Sequence, residues 1–155
     1  TYAFILVGGI TFMLVKDAMH RNVKTVRKDS TVQEAAKIMT KNSIGSLVVV
    51  SSTGELEGIA TERDIMTDVV AEGLNPGEVT IEKIMTTEVI TISPDSSLEE
   101  AANLMSKSKI KKLPVIENGE VVGIITASDL IRYEESLTES ISDLIAHSPT
   151  TGLAG

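Results

Sequence analysis

The alternation of apolar and polar residues predicts two amphipathic helices with the same spacing. Apolar residues recur at positions i, i+3, i+4 and i+7 in two places, namely Val32, Ala35, Ala36, Met39 and Leu98, Ala101, Ala102, Met105. Residues at this spacing lie on one face of an α-helix, so each helix should bury one face. Thr31 and Ser97 each stand three residues before a glutamate, which is the spacing of a capping box at a helix start.

Two apolar runs follow each predicted helix and indicate buried strands. The runs are residues 46–50 and 55–61 after the first helix, and residues 113–116 and 120–126 after the second. Apolar runs of this length, joined by a Gly-containing turn, are typical of a hairpin of buried strands. A short β-rich stretch before each helix, at residues 23–26 and 89–92, predicts one more strand. Thr61 and Thr126 are N-cap candidates for a second helix.

The two stretches are copies of one unit, because residues 23–39 align with residues 89–105, and residues 54–66 with residues 119–131. One copy is too short to cover its own apolar face, so the two copies should pack against each other. The sequence therefore predicts an α/β fold, more closely α+β, of two β-α-β-β-α units. We divide the chain into an apolar N-terminal segment, unit 1, a linker, unit 2 and a flexible tail, at residues 1–14, 15–73, 74–80, 81–145 and 146–155.

The apolar run at the N-terminus covers residues 1–15, fewer than the roughly 20 residues needed to span a bilayer. No basic residue precedes the run, which also argues against a secretory signal. We expect a strand or short helix that packs on the domain or on a second copy, with a segment lying in a membrane surface as the alternative. Membrane binding is therefore not expected to be this chain's function.

Composition and charge narrow the possible partners. The formal net charge is −8, and the chain has two Tyr, two Phe and no Trp, so a nucleic-acid partner is not expected. No Cys is present, which fits a cytoplasmic protein and excludes thiolate chemistry. The two histidines, His20 and His147, lack the spacing of metal ligands and are expected to be surface or capping residues.

One heptapeptide occurs twice, as residues 58–64 (GIATERD) and residues 123–129 (GIITASD). In each copy the Gly should end a strand, and Thr61 or Thr126 should cap the following helix. A helix start favours a phosphate, and the aspartates one turn later, Asp64 and Asp129, can accept both hydroxyls of a ribose. The same spacing also forms a helix cap worth about 1 kcal/mol, so it does not by itself establish a binding site.

Taken together and in order, these features resemble a tandem pair of cystathionine-β-synthase (CBS) domains over residues 15–133. The similar stretches are VKDAM, VKTVRKDSTVQEAAKIM, IGSLVVV and GELEGIATERDI in unit 1, and IEKIM, VITISPDSSLEEAANLM, IKKLPVI and GEVVGIITASDL in unit 2. The resemblance implies two units about a pseudo-two-fold axis, with two clefts between them. It also implies that the clefts bind AMP, ADP, ATP or S-adenosylmethionine as regulatory ligands, with no obligatory cofactor.

The resemblance also implies roles for the repeated residues. Asp64 and Asp129 would hold the ribose, and Thr61 and Thr126 match the hydroxyl position of the family's motif. The threonines of the short first strands would meet the ligand held by the other unit. We therefore pair Thr91 with Asp64, and Thr25 with Asp129.

The candidate phosphate contacts differ between the units. Lys111 and Lys112 stand where relatives place cations, whereas unit 1 has Gly45 and Ser46 there. In unit 1, Arg63 within the heptapeptide is the candidate cation, and Arg21 is a further one. The apolar pairs of the heptapeptides, Ile59 and Ala60 in unit 1 and Ile124 and Ile125 in unit 2, would form a wall against adenine or belong to the core.

These observations favour a non-catalytic regulatory module that signals to an effector protein by conformational change. The alternative is a structural module with vestigial clefts, whose task is dimerisation. A homodimer through the helices is expected in either case, because the apolar helix faces exceed what one small unit can cover. An enzyme is not expected, because no Ser-His-Asp set, metal cluster, P-loop or redox Cys is evident.

Overall fold

The computed structural model describes residues 4–7 and 10–147, with side chains from Met13 onward. The strands of this part of the chain are β1 (Phe4–Val7), β2 (Ile10–Met13), β3 (Thr25–Val26), β4 (Ser46–Val50), β5 (Leu56–Thr61), β6 (Lys112–Glu117) and β7 (Glu120–Thr126). Its α-helices are α1 (Val15–Ala18), α2 (Val32–Asn42), α3 (Glu62–Ile65), α4 (Leu98–Ser108) and α5 (Ala127–Ala146). A π-helical turn, Met66–Val70, continues α3, and a 3-10 turn covers Ile81–Lys83.

Each unit builds a small sheet beneath an amphipathic helix. In unit 1, β3 pairs parallel to β4, and β4 pairs antiparallel to β5. In unit 2, β6 pairs antiparallel to β7, and Ile92 alone forms a parallel bridge, to Val115. The strand predicted at residues 89–92 is thus reduced to one bridge. Pro114, which aligns with Val48 of β4, has no N–H with which to extend the pairing.

Both predicted amphipathic helices form, and both begin with the predicted capping box. Their buried faces pack on the strands of their own unit, with Val32, Ala35 and Met39 in one core and Leu98, Ala101 and Met105 in the other. The apolar spacing predicted that Ala102 would lie on the buried face of its helix, but Ala102 is exposed. Each unit therefore has its own apolar core.

The first residues of each unit pack on the opposite unit. These exchanged segments are residues 14–20 and 80–86. His20 of the first exchanges backbone hydrogen bonds of 2.9 Å with Ile124 of β7, and Thr86 of the second does the same with Ile59 of β5. Their apolar side chains complete the opposite cores, with Val15 and Met19 in that of unit 2 and Ile81 and Ile84 in that of unit 1. The two units are thereby interlocked.

The repeated glycines lie where the exchanged segments cross the strands. A Cβ at Gly58 would stand 2.7 Å from the carbonyl oxygen of Thr86, and one at Gly123 would stand 2.5 Å from Sδ of Met19 and 3.0 Å from the carbonyl oxygen of His20. Both glycines lie inside strands, so the expectation that each ends its strand was wrong. Their role is to permit close approach of the other unit.

The first and last elements of the described residues differ from the predicted ones. The N-terminal residues form an antiparallel hairpin of β1 and β2, where one strand or a short helix was predicted. At the other end α5 continues to Ala146, and the predicted tail lies outside the described residues from residue 148 onward. Among the helices of the described residues, none combines the length and apolarity needed to cross a membrane.

Candidate functional site

A cavity of about 520 Å³ lies between the two units. Unit 1 lines this inter-unit cavity with Arg21, Val23, Lys24 and Ser46 among others, and unit 2 lines it with Lys112, Ile124 and Thr126. His20 of the first exchanged segment also lines it. The cavity thus combines an apolar strand surface, the N-cap of α5 and several cationic side chains.

Four of the predicted site residues meet in this cavity, namely Arg21, Lys112, Ile124 and Thr126. Nζ of Lys112 donates a hydrogen bond of 3.3 Å to Oγ of Ser46, and so joins the two units across the cavity. Thr25 is exposed on β3, where it pairs with Val48, a residue that lines the cavity. The structure therefore places Thr25 beside the inter-unit cavity rather than among its lining residues.

Asp129 is buried behind Thr126, with 4% of its surface exposed. Its Oδ2 accepts hydrogen bonds from the amide of Thr126 at 2.8 Å and from the hydroxyl of Thr126 at 2.9 Å. Its Oδ1 lies 2.7 Å from Nε2 of His20 and also accepts a hydrogen bond from Arg132. The carboxylate thus faces a second cavity of about 550 Å³, here called the α5 cavity, which Arg132 and Tyr133 also line.

Two opposing effects act on the ionisation of Asp129. Burial acts to raise the pKa of this carboxyl, because it removes water from the charged form. Hydrogen bonds from Thr126 and His20, together with the charge of His20, lower the pKa and outweigh burial. The carboxyl is therefore held in its ionised form, with a pKa below the ordinary value.

Asp64 has simpler surroundings, although it occupies the same position in unit 1. Its Oδ2 accepts a hydrogen bond of 2.9 Å from the amide of Thr61, and its own amide donates to Oγ1 of Thr61 at 3.1 Å. The positions that align with His20 and Arg132 hold Thr86 and Thr67. In the part of the chain that the structure describes, Thr61 is the one partner of the Asp64 carboxylate. Asp64 is half-buried.

The remaining candidates are spread over the surface of the two units. Arg63 is exposed on α3, and Thr91 is half-buried beside the bridge at Ile92. Lys111 is exposed, and its carbonyl accepts the first amide of α5, from Ala127, at 2.8 Å. The structure therefore gives Lys111 a backbone contact at the start of α5 and places Lys112, rather than Lys111, in the inter-unit cavity.

The apolar candidates divide between the cavity and the cores. Ile59 and Ile124 are half-buried, and Ile124 lines the inter-unit cavity. Ala60 and Ile125 are fully buried in the cores of their own units, so they are core residues. The contact of Ile59 or Ile124 with adenine stays a prediction.

Sequence reasoning missed the role of three side chains. His20, expected to be a surface or capping residue, contacts Asp129, and so does Arg132. Lys24 adds a cation to the inter-unit cavity. The repeat contained a signal for all three, because the other copy has an uncharged residue at each aligned position. His20 aligns with Thr86, Arg132 with Thr67 and Lys24 with Ile90. Differences between the two copies would have drawn attention to these residues.

Comparison with known proteins agrees with the duplication. A family model described as "CBS domain" matches residues 15–71 and 81–136. The chain is similar to the CBS domain-containing protein YhcV of Bacillus subtilis, with 38% identity over 116 residues, which cover 75% of this chain and 81% of that protein. It is also similar to a homoserine O-acetyltransferase of Methanosarcina acetivorans, with 35% identity over 129 residues, which cover 83% of this chain but 23% of that protein.

The fold has a close match among solved structures. The CBS domain pair of protein MJ0100, solved in complex with 5′-methylthioadenosine and S-adenosyl-L-methionine, has 36% identity and a TM-score of 0.72. The match covers 81% of this chain and 98% of that one. Both repeats match the family model, and their paired arrangement matches a solved pair, so the resemblance is confirmed. This chain belongs to the CBS domain family, of which it carries two units in tandem.

Proposed function

We propose that this chain is a non-catalytic regulatory module that binds an adenosine-containing ligand between its two CBS units. The observation that carries the proposal is the inter-unit cavity, which is lined by both units and adjoins the N-cap of α5. A ligand in this position touches both units and can shift the angle between them. The solved pair that holds adenosyl ligands supports the same class of ligand here.

The lining of the inter-unit cavity suits a nucleotide. Ile124 and Val23 offer apolar contacts to a base, and the hydroxyl of Thr126 lies at a helix start, which favours a phosphate. Three cationic side chains, Arg21, Lys24 and Lys112, line the cavity and concentrate positive charge in a chain whose net charge is −8. They favour the phosphates of AMP, ADP or ATP over the sulfonium cation of S-adenosylmethionine.

The second cleft is proposed at the equivalent position of unit 1. Asp64 would accept the ribose hydroxyls there, beside Thr61 and Ile59, and Thr91 would contribute from unit 2. The position that aligns with Lys24 holds Ile90, so this cleft has less positive charge from the opposite unit. Arg63 is the cation that unit 1 itself can offer. The two clefts are therefore expected to differ in affinity for phosphates.

The signal is proposed to reach a separate effector protein. We also propose that the chain forms a cytoplasmic homodimer through its CBS helices. Met66 and Val70, which follow α3, and Ile131 of α5 are exposed apolar residues on equivalent helices of the two units. A partner that covers them would remove this apolar surface from water. Such faces also favour the second candidate function, a dimerisation module whose clefts bind nothing.

Calorimetric titration of ligand-free protein separates the two functions. We expect heat with AMP or ATP and a weaker response to S-adenosylmethionine. Lys112→Ala should weaken binding of AMP by about tenfold, because it removes one charged contact to phosphate. Lys107→Ala, on the exposed last turn of α4, is the matched control and should change nothing.

Sedimentation of the same samples measures the homodimer. Met66→Glu combined with Ile131→Glu should yield a monomer, because two carboxylates would be buried in the contact. If no adenosyl ligand gives heat up to millimolar concentration while the dimer forms, the dimerisation module is the better description.

A further inference from the structure

The carboxylate of Asp129 has no acceptor position left for another donor. Its Oδ2 accepts two hydrogen bonds from Thr126, and its Oδ1 is contacted by His20 and Arg132. A carboxylate offers about four acceptor positions, and these contacts fill them. A ribose that binds Asp129 must therefore first displace one of the present donors.

The contacts from His20 and Arg132 are not needed to begin α5. Thr61 and Asp64 make the same reciprocal capping bonds at α3 without any counterpart of these two side chains. Helix capping therefore explains the bonds between Thr126 and Asp129, but it does not explain the additional pair of donors. Among the described residues, such a pair of donors contacts Asp129 but not Asp64.

Both additional donors can leave Asp129 while the fold stays intact. The side chains of His20 and Arg132 are 56% and 62% exposed, so water can solvate them once they turn away. The backbone of His20 is held separately by its two hydrogen bonds to Ile124. The imidazole can consequently rotate about its side-chain torsions without breaking the contact between the units.

The position of His20 places it between a ligand and the carboxylate. His20 lines both the inter-unit cavity and the α5 cavity, whereas Asp129 lines the α5 cavity. A ribose that arrives from the inter-unit cavity therefore meets the imidazole before it meets Asp129. The ring is a competitor for the same oxygen.

We infer that His20 and Arg132 form a latch on Asp129, and that a nucleoside gains this carboxylate only by displacing the imidazole. The inference rests on the proposed function, because it concerns how the proposed ligand reaches one of its contacts. The latch lowers the affinity of the Asp129 site for a ribose. His20 is thus a residue that sets ligand affinity without belonging to the repeated heptapeptide.

Titration with AMP in the full chain tests the latch. Asp64→Asn should remove AMP binding in the cleft of unit 1, so that the remaining heat measures binding at Asp129. In that background His20→Ala should tighten AMP binding by about tenfold, because the ribose no longer competes with a donor to a charged group. Arg132→Gln should tighten it as well. Addition of Asp129→Asn to either variant should abolish the gain.

Matched controls and a second variant keep the result interpretable. His147→Ala removes the other histidine, which is exposed and contacts the carbonyl of Asp143, and it should leave AMP affinity unchanged. If His20→Ala lowers the unfolding temperature too far for titration, Arg132→Gln repeats the test with His20 in place. Unchanged or weaker AMP binding in the variant that is measured overturns the latch, while binding to the Asp64→Asn protein still upholds the proposed function.

A readout on the ring itself completes the test. The reference is the ligand-free Asp64→Asn protein that also carries Asp129→Asn, in which His20 has lost its contact with the carboxylate. In the Asp64→Asn protein, addition of AMP should move the imidazole ¹⁵N resonances of His20 toward those of this reference. Resonances of His20 that stay fixed while AMP binds would show that the ribose does not displace it. Absence of AMP binding in the wild type and in every variant overturns the proposed function, and the latch with it.

Discussion

At the scale of single residues, the contacts of Gly58 and Gly123 show how one missing side chain joins the two units. We expect Gly58→Ala to destabilise the chain by about 1–3 kcal/mol, because its nearest neighbour is a backbone oxygen of Thr86 that cannot move aside. Gly123→Ala should cost less, since its closest neighbour is the flexible thioether of Met19. Urea unfolding measures both free energies.

Gly45→Ala is the control for these substitutions. A Cβ at Gly45 would meet the carboxylate of Glu62 at 3.1 Å, and this side chain can shift at little cost. A loss of stability at Gly45 equal to that at Gly58 would contradict the argument from backbone crowding.

Asp129 should make stability depend on pH. Its pKa is lower in the folded chain than its ordinary value, so the folded state favours the ionised form. The resulting stabilisation is present above the ordinary aspartate pKa and is lost as the pH falls through the lower folded value. Urea unfolding of wild type and Asp129→Asn across the acidic range should show a smaller loss on acidification in the variant. The same loss in both proteins would contradict this assignment.

At the scale of elements, the sequence predicted those helices and caps that depend on residues close to each other along the chain. The amphipathic helices and their caps follow from spacings of three and four residues, and both appear as expected. The prediction of a strand at residues 89–92 was wrong because the pairing of this stretch depends on Pro114, a distant residue without an N–H. Comparison of the two copies could have singled out His20, but not its contact with Asp129, because 109 positions separate the two residues.

The capping boxes lead to a prediction at this scale. Thr31→Ala and Ser97→Ala should each lower the free energy of unfolding by about 1 kcal/mol, because each leaves a helix-start amide without its acceptor. Ser106→Ala, on the exposed side of α4, should leave stability unchanged or slightly raise it. Urea unfolding at neutral pH distinguishes the caps from the control.

At the scale of the whole molecule, the exchanged segments make each core depend on both halves of the chain. The core of unit 1 contains Val79, Ile81 and Ile84, all of which follow the predicted end of that unit. The repeat predicted that the two units pack together. Because the two exchanged segments have similar sequences, however, the alignment cannot show whether each one packs in the core of its own unit or of the other. The boundaries of the repeat in sequence therefore differ from the boundaries of the cores in space.

Two fragments of similar length test this dependence. A fragment of residues 15–73 follows the repeat but lacks the apolar residues of the second exchanged segment, so we expect it to remain largely unfolded. A fragment of residues 23–86 contains β3, α2, β4, β5, α3 and the segment that completes their core. Because buried apolar surface is the main stabilising contribution, it should show the more cooperative thermal transition by circular dichroism. Equal folding of the two fragments would mean that the exchanged segment contributes little to the core of unit 1.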